Sequence, residues 1–160
     1  MHATVRSVIE AAGNTADEVC ILDTEASPEH LSRGTALYAD MMLTIVEPYY
    51  KSLETGRRMA ALGKDLGLER VALVANKIRD ENELTAVREF AAKHDIELAG
   101  HVPFDEQMPA AERAESAPLD FAPDTAAVAA IRELAEGVLA NGRQAAAGNG
   151  RPEAAGNGRA

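Results

Sequence analysis

This sequence of 160 residues has one cysteine, no tryptophan and no long apolar run. The single cysteine, Cys20, excludes an internal disulfide and a cysteine-cluster metal site within one chain. All apolar runs are shorter than the roughly 20 residues that cross a bilayer. The opening residues Met1–Arg6 lack the charged and then apolar layout of a signal peptide, so we expect a cytoplasmic protein.

Basic residues are also scarce, because 16 Lys and Arg stand against 26 Asp and Glu, for a net charge of −10. Nucleic-acid binding needs a basic face, and binding to a membrane surface needs a polybasic patch. We therefore expect neither nucleic acid nor a membrane among the partners. The hydrophobic share of 46% and the chain length suit one folded domain.

The composition changes at Asn141. From there on no aliphatic residue is larger than alanine, and Ala-Ala-Gly-Asn-Gly-Arg occurs at both 146–151 and 154–159. Such a segment buries too little apolar surface to offset the entropy lost on ordering. The sequence thus predicts one domain over residues 1–140 and a disordered tail over 141–160. A binding role for the repeated motif is the alternative.

Apolar runs and helical stripes alternate along the rest of the chain. Four runs predict strands: Val19–Leu22, Met41–Val46, Val71–Ala75 and Leu98–Val102. Most are continuously apolar, which is typical of strands that are covered on both faces. Apolar residues recur at helical spacing within residues 5–12, 53–66, 84–91 and 128–139, which predicts four helices. Gly67 is the predicted stop of the second. The alternation predicts an α/β fold in three layers, with a parallel sheet of at least four strands.

Each predicted strand is followed by polar or turn-forming residues: Asp23, Glu47-Pro48, Asn76-Lys77 and Pro103-Phe104-Asp105. Parallel strands place these residues at one edge, where ligands bind in open α/β sheets. An Asp directly after an apolar strand is typical of a magnesium-associated carboxylate in nucleotide hydrolases. An Asn can both donate to and accept from an adenine edge. The alternative is that these residues are only the polar loops that any strand needs.

The stretch Asp23–Ala36 reads D-T-E-A-S-P-E-H-L-S-R-G-T-A. It resembles the motif D-x-x-A-G-x-E-H-x-x-R-G-T-A of the CooC-type carbon monoxide dehydrogenase maturation ATPases, which are nickel-insertion factors of the MinD/ParA-like P-loop family. The similarity continues through residues 46–48, 76–79 and 102–105, and covers about residues 3–141. The resemblance implies a partial, mostly parallel, doubly wound sheet in three layers, without the N-terminal phosphate-loop strand and helix.

The resemblance also implies roles for individual residues. Asp23 would be the Walker-B-type carboxylate that acts on Mg²⁺, and Glu25 and Ser27 would lie in switch II. Adenosine would be held by five residues: Asn76, Lys77, Pro103, Phe104 and Asp105. ATP or ADP with Mg²⁺ would be the cofactor, a homodimer would be the assembly, and a nickel metalloenzyme would be the client.

Two family motifs are not found in these 160 residues. The phosphate loop K-G-G-x-G-K-[S/T] is absent, since Gly63-Lys64 is followed by Asp65 inside a helical pattern. The family's Cys-x-Cys metal motif is absent too, so nickel is not supported by this chain and we expect no metal site. Cys20 is expected to be a buried strand residue. Ser27-Pro28 replaces the family's switch glycine, which puts γ-phosphate sensing in doubt.

The sequence therefore predicts a truncated nucleotide-binding ATPase domain that keeps the switch II and adenine-binding elements. It would bind adenine nucleotides weakly and would not hydrolyse ATP by itself. The alternative is a non-catalytic interaction or regulatory module that pairs with a separate ATPase or metalloenzyme. A third hypothesis, an unrelated flavodoxin-like binding domain, conflicts with the family motif.

Overall fold

A computed structural model of the chain describes residues 19–24 and 39–148, with side chains to residue 140. Strands and helices alternate through the first part of the longer range, and helices fill the rest. In chain order they are β1 (Met42–Val46), α1 (Tyr50–Asp65), β2 (Val71–Ile78), α2 (Glu81–Lys93), β3 (Glu97–Pro103), α3 (Gln107–Arg113), α4 (Pro118–Phe121) and α5 (Ala126–Gly148). Among the described residues, no helix is both long enough and apolar enough to cross a membrane.

The three strands form one parallel sheet in the order β1-β2-β3. Val46 at the end of β1 lies opposite Ala75 of β2, and Ile78 at the end of β2 lies opposite Pro103 of β3. All three carboxyl ends therefore lie at one edge of the sheet. The predicted α/β class, the parallel pairing and the strands at 41–46, 71–75 and 98–102 are confirmed, although β2 extends to Ile78.

Strand β2 is the centre of the core and is apolar on both faces. Leu73 and Ala75 are fully buried against the layer formed by α1 and α2. Val74, on the opposite face, packs with Val102 and with Ala127 of α5. Alternating residues of one continuously apolar strand thus enter two different cores, as expected for a strand covered on both sides. This arrangement confirms the three-layer architecture.

Helix α1 ends at Asp65, two residues before Gly67, the helix stop that the sequence predicts. Gly67 has a φ of 86°, in the left-handed region that glycine adopts without a steric penalty. Its N–H donates to the Lys64 carbonyl, and the next N–H, of Leu68, donates to the Gly63 carbonyl. These bonds satisfy carbonyl groups that a helix end would otherwise leave unpaired. The chain then turns directly into β2.

The run Val19–Leu22 was predicted to be a buried strand, and this prediction was wrong. The described segment 19–24 has no regular structure; Val19 is 62% exposed and Ile21 is 86% exposed. Cys20, predicted to be buried, is exposed as well. An apolar run becomes a strand only where neighbouring strands accept its backbone hydrogen bonds and a helix layer covers it. Among the described residues, β1, β2 and β3 pair only with one another, so three strands are seen where at least four were predicted.

Helix α5 continues past Asn141 to Gly148, beyond the start of the predicted tail. The residues after Asn141 include Arg143, Gln144 and three consecutive alanines, all good helix formers. A helix that is already nucleated extends through such residues at little cost. The predicted opening helix, at residues 5–12, lies outside the described residues.

Candidate functional site at the carboxyl edge of the sheet

The ends of β1 and β2 are joined by an ion pair between two residues that the sequence placed at this edge. Lys77 Nζ lies 2.8 Å from Glu47 Oε1. The register brings both residues to the same edge, because Val46 lies opposite Ala75, and Glu47 and Lys77 follow these by one and two residues. The carboxylate raises the pKa of Lys77 through this hydrogen bond and through its charge. Both side chains are partly exposed, so solvent screens the attraction and it adds little to folding.

Lys77 interrupts the regular backbone of β2. Its φ is 59°, in the left-handed region that non-glycine residues rarely adopt, and the pairing with β3 is irregular between Ala75 and Ile78. In this conformation the Lys77 N–H donates to Asn76 Oδ1 over 3.0 Å. No described residue accepts a hydrogen bond from Asn76 Nδ2. The irregularity thus engages the amide oxygen of Asn76, while its two N–H donors have no acceptor within the part of the chain that the structure describes.

Glu47 is itself fixed by the helix that follows it. Its backbone N–H donates to Ser52 Oγ over 2.9 Å, in the first turn of α1. Its carbonyl accepts from the N–H of Tyr49 over 2.8 Å. The short turn between β1 and α1 therefore sets the position from which the carboxylate reaches Lys77.

The end of β3 is tied to the end of β2 by Arg79 and Phe104. The Arg79 guanidinium carbon lies 4.1 Å from the centroid of the Phe104 ring, a cation–π contact. The Phe104 N–H donates to the carbonyl of Ile78 over 2.8 Å, one pairing beyond the last residue of β3. The sequence alone did not indicate this role for Arg79. The similarity to the family at residues 76–79 could have pointed to Arg79. However, only the pairing of β2 with β3 brings its guanidinium over the Phe104 ring.

Arg79 is held on its other side by the start of α2. The Asp80 carboxylate accepts from the N–H of Glu83 over 2.9 Å, and the Glu83 carboxylate accepts from the N–H of Arg79 over 2.7 Å. This reciprocal pattern is a variant of the capping box, with Asp80 as the N-cap. The turn between β2 and α2 is thereby fixed without any ligand.

The remaining predicted residues are distributed as follows. Pro103 ends β3 opposite Ile78, and Asp105 Oδ1 accepts from the N–H of Gln107 over 2.8 Å, which starts α3. Asp23 lies in the exposed segment 19–24. The predicted switch residues Glu25 and Ser27 lie outside the described residues.

Metal ligands do not cluster within residues 19–24 and 39–148, where no three His, Cys, Asp or Glu side chains could together hold an ion.

A groove of about 650 Å³ lies elsewhere, between β3 and α5. Its lining combines alanine and aliphatic side chains with His101, Glu133 and the ion pair Arg70–Glu97, which lies at the amino ends of the strands. Of the predicted site residues, it includes only Pro103. The predicted adenosine-binding residues gather at the carboxyl edge rather than in this groove, so the carboxyl edge is the better candidate site.

No protein-family model matches the chain. The carbon monoxide dehydrogenase accessory protein CooC of Rhodospirillum rubrum is 31% identical over 122 residues, which are 76% of this chain and 46% of that protein. An uncharacterised ATP-binding protein of Methanocaldococcus jannaschii is 40% identical over 92 residues, which are 58% of this chain and 36% of that protein. The chain thus spans less than half the length of these curated relatives.

Solved structures show the same fold. A ParA family ATPase from Chlorobium tepidum superposes with a TM-score of 0.70 at 18% identity, over 86% of this chain and 56% of that one. The MinD cell division protein of Aquifex aeolicus superposes with a TM-score of 0.66 at 17% identity, over 95% of this chain and 63% of that one. Identities this low establish the fold alone.

Proposed function

We propose that this chain, which is CooC-like in sequence and has the fold of the MinD/ParA-type P-loop ATPases, recognises the adenine base of a nucleotide at the carboxyl edge of its sheet. The observation that carries the proposal is the geometry at Asn76. Its amide oxygen is engaged by a backbone N–H, while its two N–H donors have no partner among the described residues. An asparagine held in this way suits an adenine edge.

The chemistry of the base matches these groups. Adenine offers ring-nitrogen acceptors beside the exocyclic N6 donor, and asparagine can pair with both. Asn76 Nδ2 would donate to a ring nitrogen, and the second lone pair of Oδ1 would accept from N6. Pro103 ends the neighbouring strand and Phe104 follows it, and both would offer apolar surface to the ring, as the family resemblance implies. One hydrogen-bonded contact is worth only about 1 kcal/mol. We therefore expect weak binding of the base, at roughly millimolar concentration, which corresponds to about −4 kcal/mol in total.

The phosphates would have to be bound by groups other than these. The 160 residues contain no glycine-rich lysine loop, and the described residues hold no metal-ligand cluster. We propose that the chain is the adenine-binding and switch II part of an ATPase site, with Asp23 as its magnesium-associated carboxylate. On this proposal the chain does not hydrolyse ATP by itself.

The likeness to the CooC accessory protein supports a proposal about the wider context. A homodimer that serves a nickel metalloenzyme, with ATP and Mg²⁺ as cofactors, would be the working assembly. Neither the histidines nor Cys20 of this chain would supply the nickel ligands, so any nickel would be bound elsewhere.

A second candidate function is a non-catalytic interaction module, and one observation favours it. Tyr49 and Tyr50 are 54% and 74% exposed, next to Glu47 and at the start of α1. Exposed aromatic side chains are enriched at protein interfaces. Under this hypothesis the tyrosines would bind a partner protein, and nucleotide would not bind at the carboxyl edge.

Chemical-shift mapping separates the two functions. We expect AMP to shift the amide signals of Asn76, Lys77 and Phe104, while CMP at the same concentration does not. If AMP and CMP produce the same small shifts spread over the whole chain, the adenine site is refuted and the interaction module gains support.

A further inference from the structure

We infer that Glu47 and Lys77 are positioning residues, which hold the Asn76 amide in the one orientation that presents its N–H donors. The positioning role itself rests on the geometry of the carboxyl edge. Its effect on nucleotide affinity rests on the proposed function. Lys77, which the family resemblance places beside the adenosine, is thereby reassigned to a role that acts through Asn76.

Three contacts connect the residues in sequence. The Ser52 hydroxyl accepts from the N–H of Glu47 over 2.9 Å, which fixes the backbone that carries the carboxylate. Glu47 Oε1 then lies 2.8 Å from Lys77 Nζ. The N–H of Lys77 in turn donates to Asn76 Oδ1 over 3.0 Å. The first turn of α1 is thereby connected to the side chain of Asn76.

The contacts from Glu47 through Lys77 to Asn76 form a tether for the Asn76 amide. The backbone of Lys77 explains why such a tether is needed. A lysine at a φ of 59° is in a disfavoured conformation, which persists only where its surroundings impose it. The ion pair with Glu47 holds the side chain on the β1 side of the strand. The left-handed backbone keeps the Lys77 N–H within reach of Asn76 Oδ1. The ammonium is directed to a carboxylate of this chain and is held there by a hydrogen bond of 2.8 Å.

The orientation of an amide decides what it can recognise. Oxygen and nitrogen of an asparagine side chain exchange places when the amide rotates by half a turn, and an unrestrained amide populates both states. With Oδ1 held by the Lys77 N–H, Nδ2 is the group presented. Loss of the tether would let the amide rotate, and part of the population would offer the wrong group to the base. The carboxylate acts through a partly exposed ion pair, so we expect a loss of affinity of roughly twofold to fivefold.

The experiment compares Glu47→Gln with a matched control, Glu97→Gln. Glu97 pairs with Arg70 and also joins β2 to a neighbouring strand, but at the amino ends of the strands. The first measurement follows the side-chain N–H₂ signals of Asn76 without nucleotide, with the three-bond couplings from Cα and Hβ to Nδ2, which report rotation of the amide about χ2. The second is the dissociation constant of AMP. We expect Glu47→Gln to average the Asn76 couplings and to weaken AMP binding by roughly twofold to fivefold. Glu97→Gln should change neither.

A second pair of variants tests the same tether from the other side. Lys77→Met removes the cation and should reproduce the effects of Glu47→Gln, whereas Lys77→Arg keeps the cation and should restore a single rotamer of Asn76. Unchanged Asn76 couplings in both Glu47→Gln and Lys77→Met would overturn the inference, as would equal effects of Glu97→Gln. If the unaltered chain does not bind AMP, the proposed function fails, and the Asn76 couplings still decide the positioning role.

Discussion

Gly56 of α1 and Val46 of β1 are packed so closely that no side chain fits between them. A Cβ placed on Gly56 would overlap Cγ1 of Val46, a residue that is only 1% exposed. Gly63, two turns further along the same face of α1, would bring its Cβ within 2.7 Å of Cε of Met42. The two glycines let α1 lie directly on β1. As a result, the first turn of α1 lies close enough for Ser52 to bind the N–H of Glu47.

We predict that Gly56→Ala destabilises the fold. Alanine would favour the helix by about 1 kcal/mol, but overpacking a core that cannot relax costs about 1–3 kcal/mol. The matched control is Gly137→Ala in α5, where no atom of the described residues lies within 4 Å of the added Cβ. Urea unfolding should therefore show a lower free energy for Gly56→Ala and an unchanged or higher one for Gly137→Ala. Equal stability of the two variants would contradict the packing described here.

Glu54 should titrate far below an ordinary glutamate. Hydrogen bonds from Arg57 and then Arg58, with their charges, outweigh the effect of burial and lower its pKa from 4.5 to about 2. Its contribution to stability is therefore complete above its unfolded pKa and is lost as the pH falls through about 2. An NMR titration of the side-chain carboxyl should show this midpoint. Glu54→Gln should lose less stability than the unaltered chain on acidification, and a midpoint near 4.5 would refute the prediction.

The contact between Arg79 and Phe104 should be measurable as a coupling energy. A double-mutant cycle with Arg79→Ala and Phe104→Leu should give about 0.5–1 kcal/mol, because the cation lies over the ring at the surface. Arg88→Ala, on the exposed face of α2, serves as the control and should not couple to Phe104→Leu. Additive effects of Arg79→Ala and Phe104→Leu would show that the two side chains do not interact in solution.

The chain by itself should release no phosphate from ATP, with or without Mg²⁺. Transfer of a phosphoryl group needs amides and lysines arranged around the phosphates, and the sequence contains no loop of that kind. A phosphate-release assay should give the rate of the buffer blank. Turnover that disappears in Asp23→Ala would establish a phosphate site within this chain.

The strands of the fold could be predicted because their apolar runs are long and continuous enough to be covered on both faces. Leu73 and Val74 show why: adjacent residues enter opposite cores, so no polar position interrupts β2. Val19–Leu22 has a similar composition but is exposed. Composition states what a segment could bury, whereas neighbouring strands and helices decide whether it is buried.

The sequence predicts individual residues of the site, but not the backbone geometry or the contacts that arrange them. Glu47, Asn76 and Lys77 follow from the rule that polar residues at the ends of parallel strands share an edge. The left-handed backbone of Lys77 has no local signal, since lysine rarely adopts it. The contact of Arg79 with Phe104 joins residues 25 positions apart, and depends on the pairing of β2 with β3.

The central claim is that Asn76 recognises an adenine base, and the dissociation constants of AMP and ATP for Asn76→Ala test it most directly. Asn82→Ala, an exposed asparagine in α2, is the matched control. We expect the unaltered chain and Asn82→Ala to bind both nucleotides at roughly millimolar concentration without discriminating between them. Asn76→Ala should abolish this binding. Unchanged affinity in Asn76→Ala, or a micromolar preference for ATP over AMP, would contradict the account.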